Sequence, residues 1–244
     1  MEAEREGEYE EKGDYHKELD PGWKYYPIYL AKMEYITRFL QSVQKETEIL
    51  DAGCGEGVLV EEYRNAGYAI RGLDLNYSSV YVTQGDLLNI PFEDETFDLV
   101  LCLDVIEHLN CEDQGPALSE IHRILRKDGQ ALLAIPNLAH FASRLSFLVT
   151  GRLIRTSTVD RHRGDRPIQE YLELIKDEGF TIINRTGIFP TLPITALLTH
   201  LYPGRVMPLH RLLNRIVPYA NWCFLNIILC QKDDSSGGES QSLQ

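Results

Sequence analysis

The sequence predicts a doubly wound α/β fold, with a mostly parallel, seven-stranded sheet and helices on both faces. Three observations predict it. Short, almost continuously apolar segments recur at residues 48–52 (EILDA), 69–75 (AIRGLDL), 97–103 (FDLVLCL) and 130–135 (QALLAI). Segments of helical periodicity alternate with them. Glycines close the helices or open the turns. Strands that stay apolar on every residue are buried on both faces, as parallel strands flanked by helices are.

The elements follow in order. Residues 28–43 place Ile28, Met33, Ile36, Phe39, Leu40 and Val43 near one stripe of a helix. The first strand, 48–52, runs into Gly53-Cys54-Gly55-Glu56-Gly57. A helix over 58–66 stops at Gly67, a residue suited to the left-handed position after a helix. The second strand is 69–75 and a short third is 80–83, ending at Gly85-Asp86. The fourth strand, 97–103, precedes a helix at about 113–127. The fifth, 130–135, is stopped by Pro136. A helix over 168–178 is closed by Gly179, a strand begins at 180–184, and residues 222–229 (WCFLNIIL) form the last. Residues 138–166 and 189–221 break the alternation and read as insertions capping the active face of a domain spanning 28–232. Residues 1–27 form an acidic N-terminal segment, disordered in part or folding over a ligand, and 233–244 a polar, disordered tail.

Charge narrows the partners. The net charge is −13, so a phosphate backbone, which needs clustered Lys and Arg, is not expected as a partner. The sum hides an asymmetry. Residues 1–137 carry 12 basic and 28 acidic side chains, whereas 138–231 carry 11 basic and 6 acidic. The five cysteines are scattered without a CxxC pair, so neither a zinc-finger framework nor a disulfide scaffold is expected. A reducing, cytoplasmic setting follows as the default. The acidic N-terminus lacks the apolar stretch of a signal peptide. The most apolar charge-free run, 216–231, is too short and too polar to span a bilayer.

The strongest local signal is Ile49-Leu50-Asp51-Ala52-Gly53-Cys54-Gly55-Glu56-Gly57, at a strand end where a helix opens. Glycines permit a sharp turn and close backbone approach. The helix N-terminus offers free N–H groups. Asp74 ends the second strand, 21 residues after Gly53, where a carboxylate accepts from the hydroxyls of a nucleoside ribose. A nicotinamide dinucleotide prefers G-x-G-x-x-G with its pyrophosphate over the turn. This chain has G-x-G-x-G, and Asp51 directly before it repels a pyrophosphate and suits an ammonium. S-adenosylmethionine, with an ammonium, a sulfonium, a ribose and no phosphate, fits this pattern. In Gly85-Asp86-Leu87, Asp86 suits the adenine amine and the next N–H the ring.

With these residues in view, LDAGCGEG, GLDLN and GDLLNIPFEDETFDLVLCLDVIEHL resemble the class I S-adenosylmethionine-dependent methyltransferases. The particular likeness is to the small-molecule branch that includes ubiquinone and menaquinone pathway enzymes. The resemblance covers residues 30–137 well and 166–231 loosely. It implies a Rossmann-like methyltransferase sheet and S-adenosylmethionine as cofactor. It further implies that Asp51, Gly53 and Gly55 hold the methionine part, with Cys54 filling the same turn. Asp74 would bind the ribose, Leu75 would pack on the adenine, and Asp86 and Leu87 would bind its edge. Leu103 and Asp104 would line the methyl-donor side.

The acceptor is less defined. The fourth strand lacks the N/D-P-P-Y sequence of amino-methylating nucleic-acid enzymes, and no Pro-Cys pair stands where cytosine C5 enzymes carry their nucleophile. Asp104, Glu107 and His108 form D-x-x-E-H, similar to the E-x-x-E-H of ubiquinone-pathway O-methyltransferases. Three readings stay open: no chemical role, His108 as general base, or a divalent metal; a metal is not the expectation. Arg161-His162-Arg163 precede the 168–178 helix, and Arg forks bind phosphate or carboxylate well, so these three are candidate substrate contacts beside the alternative of a solvated basic loop. Residues 179–232 contain no Asp or Glu, and 189–221 look amphipathic and basic. That stretch packs as core, meets an anionic membrane surface, or forms a homodimer face. The expected activity is methyl transfer to a small or lipid-linked, anionic acceptor, at oxygen first and at carbon of a quinone-like or isoprenoid ring second. A non-catalytic cofactor-binding protein is the contrasting alternative.

Overall fold

The computed structural model describes residues 21–23, 25–155, 162–217 and 219–233. Helix α1 (Tyr26–Gln41) precedes β1 (Ile49–Ala52), α2 (Val58–Asn65), β2 (Ile70–Asp74), β3 (Val82–Gln84) and β4 (Phe97–Leu103). After a 3-10 turn at Ile106–His108 come α3 (Gln114–Ile124), β5 (Leu125–Pro136), α4 (Phe141–Thr150), α5 (Ile168–Asp177) and β6 (Phe180–Pro190). Helices α6 (Pro193–Leu201) and α7 (Met207–Ile216) lead to β7 (Cys223–Lys232).

One seven-stranded sheet results, in the order β3-β2-β1-β4-β5-β7-β6. Strands β1 to β5 pair in parallel, and β7 runs antiparallel between β5 and β6. The sheet is therefore the mostly parallel, doubly wound one expected. Its two faces carry two apolar layers. One packs α3 and α5 through Leu118, Ile121, Tyr171 and Ile175. The other packs α1 and α2 through Ile36, Leu40, Val60 and Tyr63. Strand β1 is buried at all four residues, which explains its unalternating sequence.

Several boundaries differ from the sequence reading, among them the start of the third strand, at Val82 rather than 80, and three with a clear cause. The helix expected to reach 127 ends at Ile124, because Leu125 is drawn into the sheet beside Phe97, with a register shift before Leu99. Strand β6 runs past 184 to Pro190, because β7 offers it a partner as far as Cys223. Strand β7 continues to Lys232 rather than ending at 229, pairing with Phe180.

The chain leaves β1 for β2 on one side and lies against β4 on the other. A crevice opens at such a switch point, at the carboxyl ends of the strands. The connections after β5 and β6 emerge at that same edge, and antiparallel β7 begins there. Helices α4, α6 and α7 thus lie on segments that leave the same edge of the sheet as the crevice.

Candidate active site

The turn after β1 occupies the switch point. Gly53 and Cys54 donate their N–H groups to the Leu73 carbonyl at 2.7 and 3.1 Å. Gly53, Gly55 and Gly57 all have positive φ, of 80°, 56° and 79°. A side chain at Gly53 would place its Cβ 2.4 Å from a Val105 methyl. The repeated glycines are thus a steric requirement of this backbone. Cys54 fills space: a Cβ on Gly72 would meet its Sγ at 2.6 Å. Burial, with Asp51 and Asp74 nearby, holds the Cys54 thiol far above its ordinary pKa.

Two carboxylates flank the turn. Asp51 is buried, and burial pushes its pKa up to about 7; Lys32 pulls it down and Asp74 pushes it further up. Asp74 accepts from the Gly55 N–H at 2.8 Å and the Asn76 N–H at 2.9 Å, one on each oxygen. This locks the carboxylate at the end of β2 against the glycine turn. Leu75 follows it and is half-buried. Further along, Asp86 accepts from the Leu88 N–H at 3.0 Å. Leu87 is buried among Leu50, Leu73 and Ile90 in the core. Leu103 is half-buried at the end of β4.

Asp104 adopts φ 58°, a left-handed conformation uncommon for a residue with a side chain. It receives an ion pair that sequence reasoning missed: Lys32 Nζ lies 2.5 Å from its Oδ2. Lys32 is buried and stands over the Tyr29 ring at 5.1 Å. Its position carried a signal. The buried stripe of α1 runs Ile28, Lys32, Ile36, Leu40 at intervals of four, and a lysine on an apolar stripe needs an anion waiting for it.

The D-x-x-E-H segment separates on folding. Asp104 turns toward Lys32, while Glu107 is only 1% exposed. Burial and the neighbouring Asp104 hold the Glu107 carboxyl well above the usual carboxylate range. His108 meets a ring from a distant segment, His162, edge to face at 4.7 Å between centroids. His162 Nδ1 lies 3.2 Å from Asp165 Oδ1. Of the three candidate substrate residues, His162 therefore joins His108. Arg163 is exposed on the same loop, and Arg161 lies outside the described residues.

The cap around the mouth has a different character. Leu148 and Ile194 are 81% and 75% exposed, on α4 and α6. Phe147, Val149, Leu197, Leu201, Leu212, Ile216 and Tyr219 are exposed too. Two buried histidines hold the cap. His140 lies 2.9 Å from the Thr191 hydroxyl and accepts from the Ser143 N–H. His210 Nε2 lies 2.8 Å from the Thr199 hydroxyl, which itself donates to the Thr195 carbonyl; the ring therefore donates through Nε2. Burial pushes both imidazoles down to about 4. Arg211 pairs with Glu34 and ties α7 to α1. Among the described residues, no helix is long and apolar enough to cross a membrane.

Comparison with known proteins agrees with this geometry. Residues 50–133 match the family model described as a methyltransferase domain. Over 152 residues the chain is 30% identical to a protein of Mycolicibacterium smegmatis named as an S-adenosylmethionine-dependent methyltransferase, with 58% of this chain and 55% of that one covered. It is 32% identical over 166 residues to a protein of Encephalitozoon cuniculi named as a methyltransferase, covering 60% of this chain and 77% of the other. A crystal structure of the Burkholderia thailandensis 1,6-didemethyltoxoflavin-N1-methyltransferase, with 1,6-didemethyltoxoflavin and S-adenosylhomocysteine bound, shares the fold. The TM-score is 0.52 and the identity 15%, over 93% of this chain and 84% of that one. The chain spans about half the length of the first curated relatives it matches.

Proposed function

This chain belongs to the class I S-adenosylmethionine-dependent methyltransferases, and from that premise we propose that it methylates an oxygen of an anionic, lipid-linked acceptor. The residues present fit the cofactor. Carboxylates Asp51 and Asp74 flank a turn that presents glycine backbone, a donor set that suits an ammonium and a ribose and opposes a pyrophosphate. Once bound, the cofactor supplies a methyl group on a sulfonium, already activated for transfer.

The chain supplies position. Asp51 binds the ammonium, Asp74 the ribose hydroxyls, and Asp86 with the Leu87 N–H the adenine edge. Leu103 and Asp104 line the side from which the methyl group leaves, and Lys32 fixes Asp104 there. Alignment of this kind is worth about 7–11 kcal/mol of the barrier. Oxygen acceptors also need to lose a proton. His108, backed by His162, stands at the exit of β4 to handle it. His108→Gln should therefore abolish turnover and spare cofactor binding, and unchanged turnover removes the role.

The observation that carries the lipid-linked reading is the cap. Exposed apolar side chains of α4, α6 and α7 stand on the segments that leave the carboxyl edge of the sheet, and the stretch that carries α6 and α7, 179–232, holds no acidic residue. Such a surface suits the apolar boundary and negative headgroups of a bilayer. The test is incubation with methyl-labelled S-adenosylmethionine and a whole-cell extract, followed by partition. Label in the organic phase is expected. Label confined to water overturns the lipid-linked acceptor, and no label with cofactor bound overturns methyl transfer.

A further inference from the structure

We propose that α4 and the turn after it, residues 141–155, form a membrane-insertion element that lies in the boundary layer of an anionic bilayer. Of α4, only Ser143 is buried. Leu145, Phe147, Leu148 and Val149 of the helix and Leu153 and Ile154 of the turn are all exposed, six large apolar side chains within ten residues. A helix this short is marginal in water without an apolar partner. The fold pins its first turn: the Thr191 hydroxyl accepts the Ala142 N–H at 3.0 Å, and Phe141 lies against Trp222 with ring centroids 5.1 Å apart. At about 15 Å long, α4 falls far short of spanning a bilayer and suits a place along its surface.

Two further observations point to that surrounding. The segment satisfies its own polar groups. The Thr150 hydroxyl donates to the Ser146 carbonyl at 2.8 Å, and the Ser146 hydroxyl to the Arg152 carbonyl at 2.9 Å. The Arg152 N–H donates to the Thr150 hydroxyl at 3.2 Å, and the Ile154 N–H to the Ser143 hydroxyl at 2.9 Å. Gly151, with φ 70°, turns the chain back so that these bonds form. A polar group entering an apolar medium costs free energy unless it is bonded, and every serine and threonine of α4 is already bonded inside the segment. The second observation is charge. No Asp or Glu stands between 129 and 159, and Arg144, Arg152 and Arg155 are exposed. Arg155 reaches Asp165 at 3.6 Å, while Arg144 and Arg152 bracket the helical apolar run in sequence. On a chain of net charge −13, an anionic surface favours the approach that leads with such a stretch. A second copy of this chain is the poorer occupant, since it would set arginine against arginine with no acid to answer them.

The same argument selects α4 over its neighbours. Helix α6 exposes Ile194, Leu197 and Leu201 but carries no Lys or Arg. Helix α7 carries Arg211 and Arg215, yet Arg211 pairs with Glu34 of α1. Helix α4 joins exposed apolar side chains to arginines in a stretch free of acids. The inference deepens the lipid-linked reading and rests on it for its purpose, because an enzyme seated on a bilayer meets an acceptor held there.

The experiment takes the full chain, without cofactor or acceptor, and vesicles of phosphatidylcholine with or without phosphatidylserine. Co-sedimentation should require phosphatidylserine. Leu148→Glu should weaken it at least fivefold, and Ile194→Glu less than threefold. Arg144→Gln combined with Arg152→Gln should weaken it at least tenfold, from about fivefold per charge near the surface. The added fluorescence of Leu148→Trp should be quenched by brominated acyl chains, and that of Ile194→Trp should not, each read against the wild-type signal. Cofactor affinity, measured on each variant, reports folding. Binding that ignores phosphatidylserine, no binding at all, wild-type binding in Leu148→Glu, or equal quenching at both positions overturns the proposal. So does a dimer in solution that Leu148→Glu dissociates, which assigns the face to a second copy. Label confined to water with vesicle binding intact removes the lipid-linked acceptor alone. Label in the organic phase without vesicle binding removes the insertion element alone.

Discussion

The cofactor crevice and the cap bury ionisable groups of opposite kinds. Around β1, β2 and β4 they are the acids Asp51, Asp74 and Glu107 together with the base Lys32. In the cap they are histidines, His140 and His210, each bonded to a threonine hydroxyl, with the buried Nδ1 of His210 left without a partner. The crevice is an anionic hollow that gains from a cationic ligand. The cap is a neutral latch under an apolar, basic surface. The two regions are therefore electrostatically distinct, and variants in one should leave the other intact.

The largest expected effect tests that separation from the crevice side. Asp74→Ala removes the acceptor for the Gly55 and Asn76 N–H groups as well as the proposed ribose contact. Cofactor affinity by calorimetry should fall at least a hundredfold, about 2.7 kcal/mol, while binding to anionic vesicles stays unchanged. The reciprocal experiment is the double variant Leu148→Glu with Ile194→Glu. Sedimentation with phosphatidylserine-containing vesicles should drop about tenfold, roughly 1.4 kcal/mol, with cofactor affinity intact. A variant that lost both activities would break the comparison.

Acidity sharpens it, because the two regions titrate with opposite sign. The Asp51 pKa is raised to about 7. The stability it contributes is present below the ordinary carboxylate range and lost as pH rises toward 7, and its charge, which the proposed ammonium contact needs, appears as pH passes about 7. Cofactor affinity should fall as pH drops through 7, by up to tenfold per unit. Lys32→Met, which removes the cation pulling Asp51 down, should move that midpoint upward. The histidine pKa values are lowered to about 4. Their contribution is complete above the unfolded value of about 6.5 and is lost as pH falls toward 4. Hydrogen exchange at pH 5 against pH 7.5 should show α6 and α7 losing protection while β1 does not. The smallest effect is that of His210→Gln, which should flatten the pH dependence of that exchange and cost about 1 kcal/mol.

Much of the crevice was legible because its determinants are local. Asp51, Gly53, Gly55 and Gly57 lie in one turn, whose backbone conformation demands glycine. Asp74 is readable as the end of the next strand. What stayed hidden depends on long-range approach. Nothing within the D-x-x-E-H segment says that Asp104 turns to a lysine 72 residues earlier while Glu107 turns inward toward His162. Lys32 was recoverable in principle from its place between Ile28 and Ile36, yet reading that stripe by its apolar residues alone passes over it. The true end of α3 was hidden for another reason. Leu125 has helical neighbours in sequence, and only its pairing with Phe97 moves it into strand.

The antiparallel β7 also has a consequence for the order of synthesis. The segment 223–232, made after the other six strands of this sheet, is inserted between β5 and β6. The crevice residues, 51 to 108, leave the ribosome more than a hundred residues earlier. A nascent chain therefore carries all the residues proposed to hold the cofactor before its sheet can close. Until 223–232 arrives, β5 and β6 each present a row of unsatisfied backbone groups, which invites pairing with other chains. Premature termination before Cys223 should accordingly yield aggregates rather than a smaller working enzyme, and cofactor supplied during synthesis should act as an early brace for the half already made.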